Sequence, residues 1–302
     1  MNKISKWSVL LGSSALLLSC SNSSSTDSAS SGKVKIYVEE SYKPLFKTSI
    51  YTYESQYPNT HIEPIYCSEQ DVIDAFIANK TKTIFMTRDF TKSEKVNLRK
   101  SLVEVRSEIL AKDAVAFIVH PSNVDTNLTV EQIKRIFTGK DLMWPTSKSK
   151  INVVFDNPNS ANFRFMSELT HSSKVPDNVF AVKSNEEVIN YVKNHPNAIG
   201  VIGVNWISDE DDANVLDFLN GINVIALSDD DSGYFYKPYQ AYIYDKSYPL
   251  TRELWVINKG ARTGLNSGFV NFLEGEKGQL IVKKSSLVPF TAPVRLIEIK
   301  TE

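Results

Sequence analysis

Three short stretches gather hydroxyls, amides and charges where an apolar run gives way to a helix start. They are Glu39-Glu40-Ser41-Tyr42, Met86-Thr87-Arg88-Asp89 and Asp156-Asn157-Pro158-Asn159-Ser160-Ala161-Asn162. An oxyanion is held by N–H and O–H donors, and a helix N-terminus supplies oriented N–H groups with a favourable dipole. The candidate binding residues are therefore Glu40, Ser41, Thr87, Arg88, Asp156, Ser160, Ala161 and Asn162. Each has a plainer role open to it. Ser41 and Ser160 are good N-caps. Arg88 has Asp89 and Glu94 within reach as surface partners, and Glu39 and Glu40 suit a solvated helix start. It is their joint occurrence at three junctions that points to binding.

The elements around these junctions alternate. "VKIYVEE", "HIEPIYC", "KTIFMTR", "AVAFIVH", "INVVFD", "VFAVKS", "AIGVIGV" and "NVIALS" are expected strands. Between them lie helical patterns, among them "SEQDVIDAFIANK" with Ser68 as N-cap and "NLTVEQIKRIFTGK" with Thr129 as N-cap and Gly139 just past the end. Strand–helix alternation of this kind predicts an α/β fold with mostly parallel sheets covered by helices. At the carboxyl ends of such strands ligands bind. "GYFYKPYQAYIY" is either an aromatic segment returning between lobes or a packed strand.

The chain has 302 residues, is 42% hydrophobic and carries a formal net charge of −1. That length exceeds one typical domain, and the charge balance gives no reason to expect nucleic acid or an anionic membrane surface as a partner. The start, "MNKISKWSVLLGSSALLLSC", has a basic opening and an apolar stretch too short to span a bilayer permanently. It ends in Leu17-Leu18-Ser19-Cys20, which resembles a bacterial lipobox. Residues 1–20 are thus a lipoprotein signal peptide and Cys20 the lipidated residue; an ordinary secretory signal with a chance Cys is the alternative. Residues 21–32, "SNSSSTDSASSG", read as a flexible tether. Cys67, the only other cysteine, is then unpaired and reads as a small apolar side chain rather than a nucleophile. "SDEDDAN" and "LSDDDSG" lack the spacing of a calcium loop and read as acidic surface loops. No metal or cofactor motif is present.

From about Val34 onward the chain resembles the periplasmic phosphate-binding proteins that deliver ligand to ABC importers. The stretches that carry the likeness are "VEESYKPLF", "IFMTRDFTKSE", "AKDAVAFIVHPSN", "NLTVEQIKRIFTGK", "INVVFDNPNSANFRFM", "HPNAIGVIGV", "YPLTRELWVINK" and "GLNSGFVNFLEGEKGQLIVKKSSLVP". The resemblance implies a two-lobed type II periplasmic-binding fold with a hinge of two crossing strands. Lobe one would be residues 33–110 plus 235–302 and lobe two residues 111–234. It further implies a monomer, anchored to a membrane only through its lipid and facing the periplasm or exterior. Such a protein captures phosphate or a related oxyanion, hands it to permease subunits, needs no cofactor and catalyses nothing.

One junction departs from that pattern. The phosphate binders usually carry an Arg, three residues, then Ser-Gly-Thr. Here Asp156 stands at the Arg position, and Ser160-Ala161-Asn162 replaces Ser-Gly-Thr. The swap removes a cation and adds an anion. It fits an oxyanion only if Asp156 accepts a ligand proton, which would also select against sulfate. Arg88 is the expected source of compensating charge; the direction of Arg164 is open. A same-fold sensor not coupled to a transporter and a phosphatase-type enzyme are the competing functions. The lipobox makes a direct prediction: Cys20→Ser leaves soluble protein or uncleaved precursor. Membrane partitioning of the processed variant would refute the anchor.

Overall fold

The computed structural model describes residues 27–291 except 173, 210, 231, 232, 261 and 262. The signal, the lipobox with Cys20, and the last residues assigned to lobe one lie outside the described residues. The first half of the chain runs β1 (Ser31–Glu39), a 3-10 turn (Glu40–Tyr42), α1 (Lys43–Gln56), β2 (Asn59–Cys67), α2 (Glu69–Ile77), β3 (Thr83–Met86) and α3 (Lys92–Lys100). Next come β4 (Val105–Val119), β5 (Asn127–Thr129), α4 (Val130–Phe137), β6 (Asn152–Phe155), α5 (Ala161–Thr170) and β7 (Val179–Ala181). They are followed by α6 (Asn185–Asn194), β8 (Ala198–Gly203), a 3-10 turn (Val204–Trp206), α7 (Ala213–Asn220), β9 (Asn223–Val224) and β10 (Ala226–Ser228). The chain closes with α8 (Gln240–Tyr244), β11 (Thr251–Lys259), α9 (Gly264–Glu274), α10 (Glu276–Lys284) and β12 (Val288–Pro289).

The helix starts are set by local chemistry. Ser68 accepts from the Asp71 N–H, and Thr129 and Gln132 form a reciprocal capping box. Gly139 takes a φ of +69° just past α4, where a side chain would be strained. Among the described residues, β5 and β10 pair as a separate two-stranded sheet, and ten strands form one curled sheet whose main path runs β2-β1-β3-β11-β4-β8-β6-β7, with β9 and β12 also on β4. Its flanks, β2-β1-β3 and β8-β6-β7, are parallel as the alternation predicts. Its centre is antiparallel, because β11 and β4 run against each other and against their outer neighbours.

β4 belongs to both flanks. Its first part pairs with β11 and its end, Val115–Val119, pairs with β8. Asp113 to Val119 are all buried, as expected of a strand covered on both faces. Beside it the chain returns at Tyr248–Leu250: the Val115 N–H donates to the Leu250 carbonyl at 3.0 Å, and the Tyr248 hydroxyl donates to the Val115 carbonyl at 2.7 Å. The aromatic stretch before this return is not a strand. It makes one bridge at Tyr236 and then turns into α8.

The described end of the expected tether is fastened rather than free. Asp27 Oδ1 accepts from the Leu265 N–H at 2.8 Å, and the Ala29 carbonyl accepts from the Tyr53 hydroxyl. Cys67 is unpaired and half-buried, and burial pushes its thiol up to about 12.

Gly200 tests the packing of the second flank. A Cβ there would lie 2.7 Å from Val188 Cγ1 and 2.9 Å from both Ile118 and Val192. Interior overpacking of this kind costs about 1–3 kcal/mol. Gly200→Ala should therefore unfold at lower denaturant concentration with an unchanged slope, and an unshifted midpoint would show that α6 yields freely.

Candidate functional site

All three predicted junctions meet where β1, β3 and β6 end, and two polar chains run between the lobes. The outer chain centres on Glu69, the first residue of α2. Arg164 of α5 reaches across to it, Nε to Oε1 at 2.5 Å, and also donates to the Thr87 hydroxyl at 2.8 Å. Thr87 in turn donates to Glu69 Oε2 at 2.6 Å. Arg88 Nε stands 3.3 Å from Glu69 Oε1. Burial would raise the Glu69 carboxyl, but Arg164, Thr87 and Arg88 together hold it below its usual range. Two backbones also touch here, the Gln70 N–H donating to the Asn159 carbonyl at 3.4 Å. A cavity of about 140 Å³ opens among Glu69, Gln70, Arg88, Asn159, Ser160 and Arg164.

The inner chain is fully buried at its base. Arg252 of β11 pairs through Nε with Asp113 Oδ2 of β4 at 2.8 Å. Its Nη1 donates to Asn162 Oδ1, also at 2.8 Å. Asn162 Nδ2 donates to Asn185 Oδ1 at 3.2 Å, and that same oxygen accepts from the Gly203 N–H at 2.9 Å. Asn185 Nδ2 donates to Asp156 Oδ2 at 3.1 Å and to Glu40 Oε2. Ser160 closes the chain, donating to Asp156 Oδ1 at 2.6 Å while accepting from the Phe163 N–H at 3.1 Å.

The sequence candidates thus come together, but their side chains differ in what they have left to offer. Thr87, Asp156, Ser160 and Asn162 make side-chain hydrogen bonds within the protein. Ser160 is the N-cap of α5, the plainer of its two expected roles. Ala161 is buried in the first turn of the same helix. Arg88 is engaged by the partner its neighbourhood suggested. Its two terminal nitrogens hold Glu94 at 2.8 and 2.9 Å, and this contact drives the Glu94 carboxyl down to about 2. Arg88 is therefore not the spare cation at the inner site.

That cation is Arg252. Its Nη2 is buried and makes no hydrogen bond, and the same holds for Ser41 Oγ. The two groups flank Gly203, where a Cβ would fall 2.7 Å from Arg252 Nη2 and 3.0 Å from Ser41 Oγ. Glu39, one residue before the first candidates, is fully buried beside them. Its Oε2 accepts from the Ser41 N–H at 3.1 Å, and its Oε1 has no partner. Sequence reasoning passed over Arg252, Asp113, Glu69, Asn185 and Glu39 as ligating candidates. The usable signal was a charge inside each of two apolar strands, "AKDAVAFIV" and "TRELWVINK", since such charges are buried only in pairs.

The model of a PBP superfamily domain matches residues 23–276. The chain belongs to the PBP superfamily. Among relatives of this PBP superfamily chain is the phosphate-binding protein PstS of Borreliella burgdorferi, 23% identical over 93% of the chain and 96% of that protein. PstS of Staphylococcus saprophyticus is 25% identical over 89% of the chain and 85% of its own length. Among solved structures, a putative phosphate ABC transporter substrate-binding protein with bound phosphate from Clostridium perfringens superposes with a TM-score of 0.74. It is 20% identical and covers 86% of this chain and 100% of its own. That structure has the same two-lobed fold.

Burial pushes Glu39 from 4.5 up to about 8, with Arg252 opposing the shift and Asp156, Glu69 and Glu40 adding to it. Asp156 is raised too, again by burial, against the hydrogen bond of Ser160. A carboxyl raised on folding holds its full stabilising contribution below its unfolded value and loses it as pH climbs to the folded value. Stability should therefore fall between pH 4.5 and about 8, the window set by Glu39. The slope for one such group is at most about 1.4 kcal/mol per pH unit. Glu39→Gln should flatten it in melts across that range; an equally steep variant would exclude Glu39 as the cause.

Proposed function

We infer that this chain is a solute-binding protein that captures phosphate, or a closely related oxyanion, between its lobes. One observation carries the reading: among the described residues Arg252 Nη2 and Ser41 Oγ are buried donors without partners, both packed beside Gly203 at the seam that parts when the lobes open. Leaving a buried donor unsatisfied costs about 1–3 kcal/mol, and more for a charged group. An oxyanion seated there removes that cost and makes a charge-assisted hydrogen bond with the guanidinium. The Glu39 carboxyl beside them, pushed up to about 8 by burial, holds its proton at neutral pH and can therefore donate to an oxyanion oxygen there. The relatives named as phosphate-binding proteins support phosphate over other tetrahedral anions. Tethered through a lipid on Cys20 and acting as a monomer, the protein would hand its ligand to the permease of an ABC importer. Ser41, Glu40, Ala161 and Asn162 remain in the proposed binding set, with Arg252 and Glu39 added. Thr87, Arg88, Asp156 and Ser160 position it.

The test is calorimetric titration of the chain from Ser21 onward with phosphate, arsenate, sulfate and molybdate. Phosphate should bind, and Ser41→Ala should weaken it by roughly 1.5–3 kcal/mol, the range for a hydrogen bond to a charged group. Arg252→Lys should keep the charge opposite Asp113 and the fold, yet lose affinity because a point charge cannot reproduce the guanidinium fork. Failure to bind any of the four anions, or a Ser41→Ala affinity within about twofold of the parent, would overturn the reading.

A further inference from the structure

Asn185 holds two carboxyls at once. Its backbone N–H donates to Glu40 Oε2 at 3.2 Å, and its side-chain Nδ2 donates to that same oxygen and to Asp156 Oδ2 at 3.1 Å. Its carbonyl oxygen is already occupied by the Gly203 N–H and by Asn162. An amide nitrogen has two hydrogens, and both are spent here. Glu40 closes the end of β1 in one lobe, whereas Asp156 and Asn185 belong to the other. The bridge is therefore made only when the lobes meet.

The surroundings give this acid pair little positive charge. Arg252 is one residue removed, with Nε on Asp113, Nη1 on Asn162 and Nη2 beside Gly203, and its charge only partly offsets the burial of Asp156. Arg88 and Arg164 are committed to Glu69, Glu94 and Glu168. Lys43 lies over the Trp206 ring at 5.6 Å, the closest basic group of α1. Glu39 adds a third carboxyl from the end of β1. Two ionised carboxylates converging on one neutral amide in a buried site repel each other, and Lys43 and Arg252 offset this only in part.

We propose that lobe closure in this protein is proton-linked: the Glu40–Asn185–Asp156 bridge forms when one of its two carboxyls is protonated, so that closing takes up a proton and opening releases it. The energetics of the groups agree. Burial pushes Glu40 up to about 7 against the pull of Asn185, with Asp156 raising it further and Lys43 opposing. When the lobes part, Glu40 regains water and returns toward an ordinary carboxyl, which is ionised at neutral pH. Acidification then favours the closed, capturing form, and alkalinisation favours release.

The consequence for ligand rests on the oxyanion reading above, and the experiment separates the two. Phosphate affinity is measured by calorimetry from pH 5 to 9 for the parent chain from Ser21 and for Glu40→Gln. The protonation of phosphate itself is common to both and cancels in the ratio. The parent-to-variant affinity ratio should fall as pH rises from 5 toward about 7, by up to tenfold per pH unit, the limit for one linked proton, and level off above that. A constant ratio overturns the proposal. Asn185→Asp, checked for folding by circular dichroism, adds a carboxyl to the bridge and should move the loss of affinity to lower pH; an unmoved profile counts against the bridge. If the parent binds no phosphate at any pH, the oxyanion reading fails while the latch is still tested without ligand. The radius of gyration of the parent by X-ray scattering should then increase between pH 5 and 7, and that of Glu40→Gln should not. Identical, pH-independent radii overturn the latch as well.

Discussion

The ion pair between Arg252 and Asp113 is the constraint on which the interior of this molecule depends. The two residues are register partners in the β4–β11 ladder, and both are buried. A slip of one residue would send both side chains to the other face and strand two charges in an apolar layer. Removing one partner of a buried pair typically costs about 3–5 kcal/mol, because the other charge remains. The pair therefore pins the strand that belongs to both lobes to the strand that follows the return between them. It also dictates where the guanidinium points. With Nε on Asp113 and Nη1 on Asn162, the third nitrogen is directed at Gly203 and Ser41.

From that anchor the rest of the interface is built by passing hydrogen bonds outward through neutral amides. Asn162 and Asn185 are the couplers, and each is fully buried. Amides can donate to a carboxyl and accept from a guanidinium in the same residue, so they join groups of opposite charge without adding any. Near solvent the joining is done instead by full charges, in the Arg164–Glu69 and Arg88–Glu94 contacts. Neutral amides thus extend the network from the buried Arg252–Asp113 pair without burying further charge.

Much of this was legible in the sequence because it is local. N-caps at Ser68, Thr129 and Ser160 need only a hydroxyl and an N–H two or three residues on, and all three form. Strand positions follow from apolar runs, and the helix-start junctions were found because composition changes abruptly there. What escaped was decided by contacts far apart in the chain. Arg88 sits at a promising junction, but the Glu94 carboxylate six residues on satisfies it. Arg164 faces inward because α5 carries it toward Glu69, a partner 95 residues away. Asp156 was expected to face a ligand proton; instead both its oxygens are taken by Ser160 and Asn185. Glu39 is buried among charged neighbours distant in the chain, Arg252 and Asp156 with them, and no local pattern announces it.

The docking of Asp27 and Ala29 against α9 and α1 has a consequence for a lipid-anchored form of the protein. Asp27, inside the polar tract, is already held by the body. Between Cys20 and Asp27 there are seven peptide links, and a fully extended chain gains at most about 3.6 Å per residue. The leash is thus no longer than about 25 Å. So short a leash would keep the body close above the lipid. It would sample a thin shell of space over the membrane, where meeting an integral partner is a search in two dimensions.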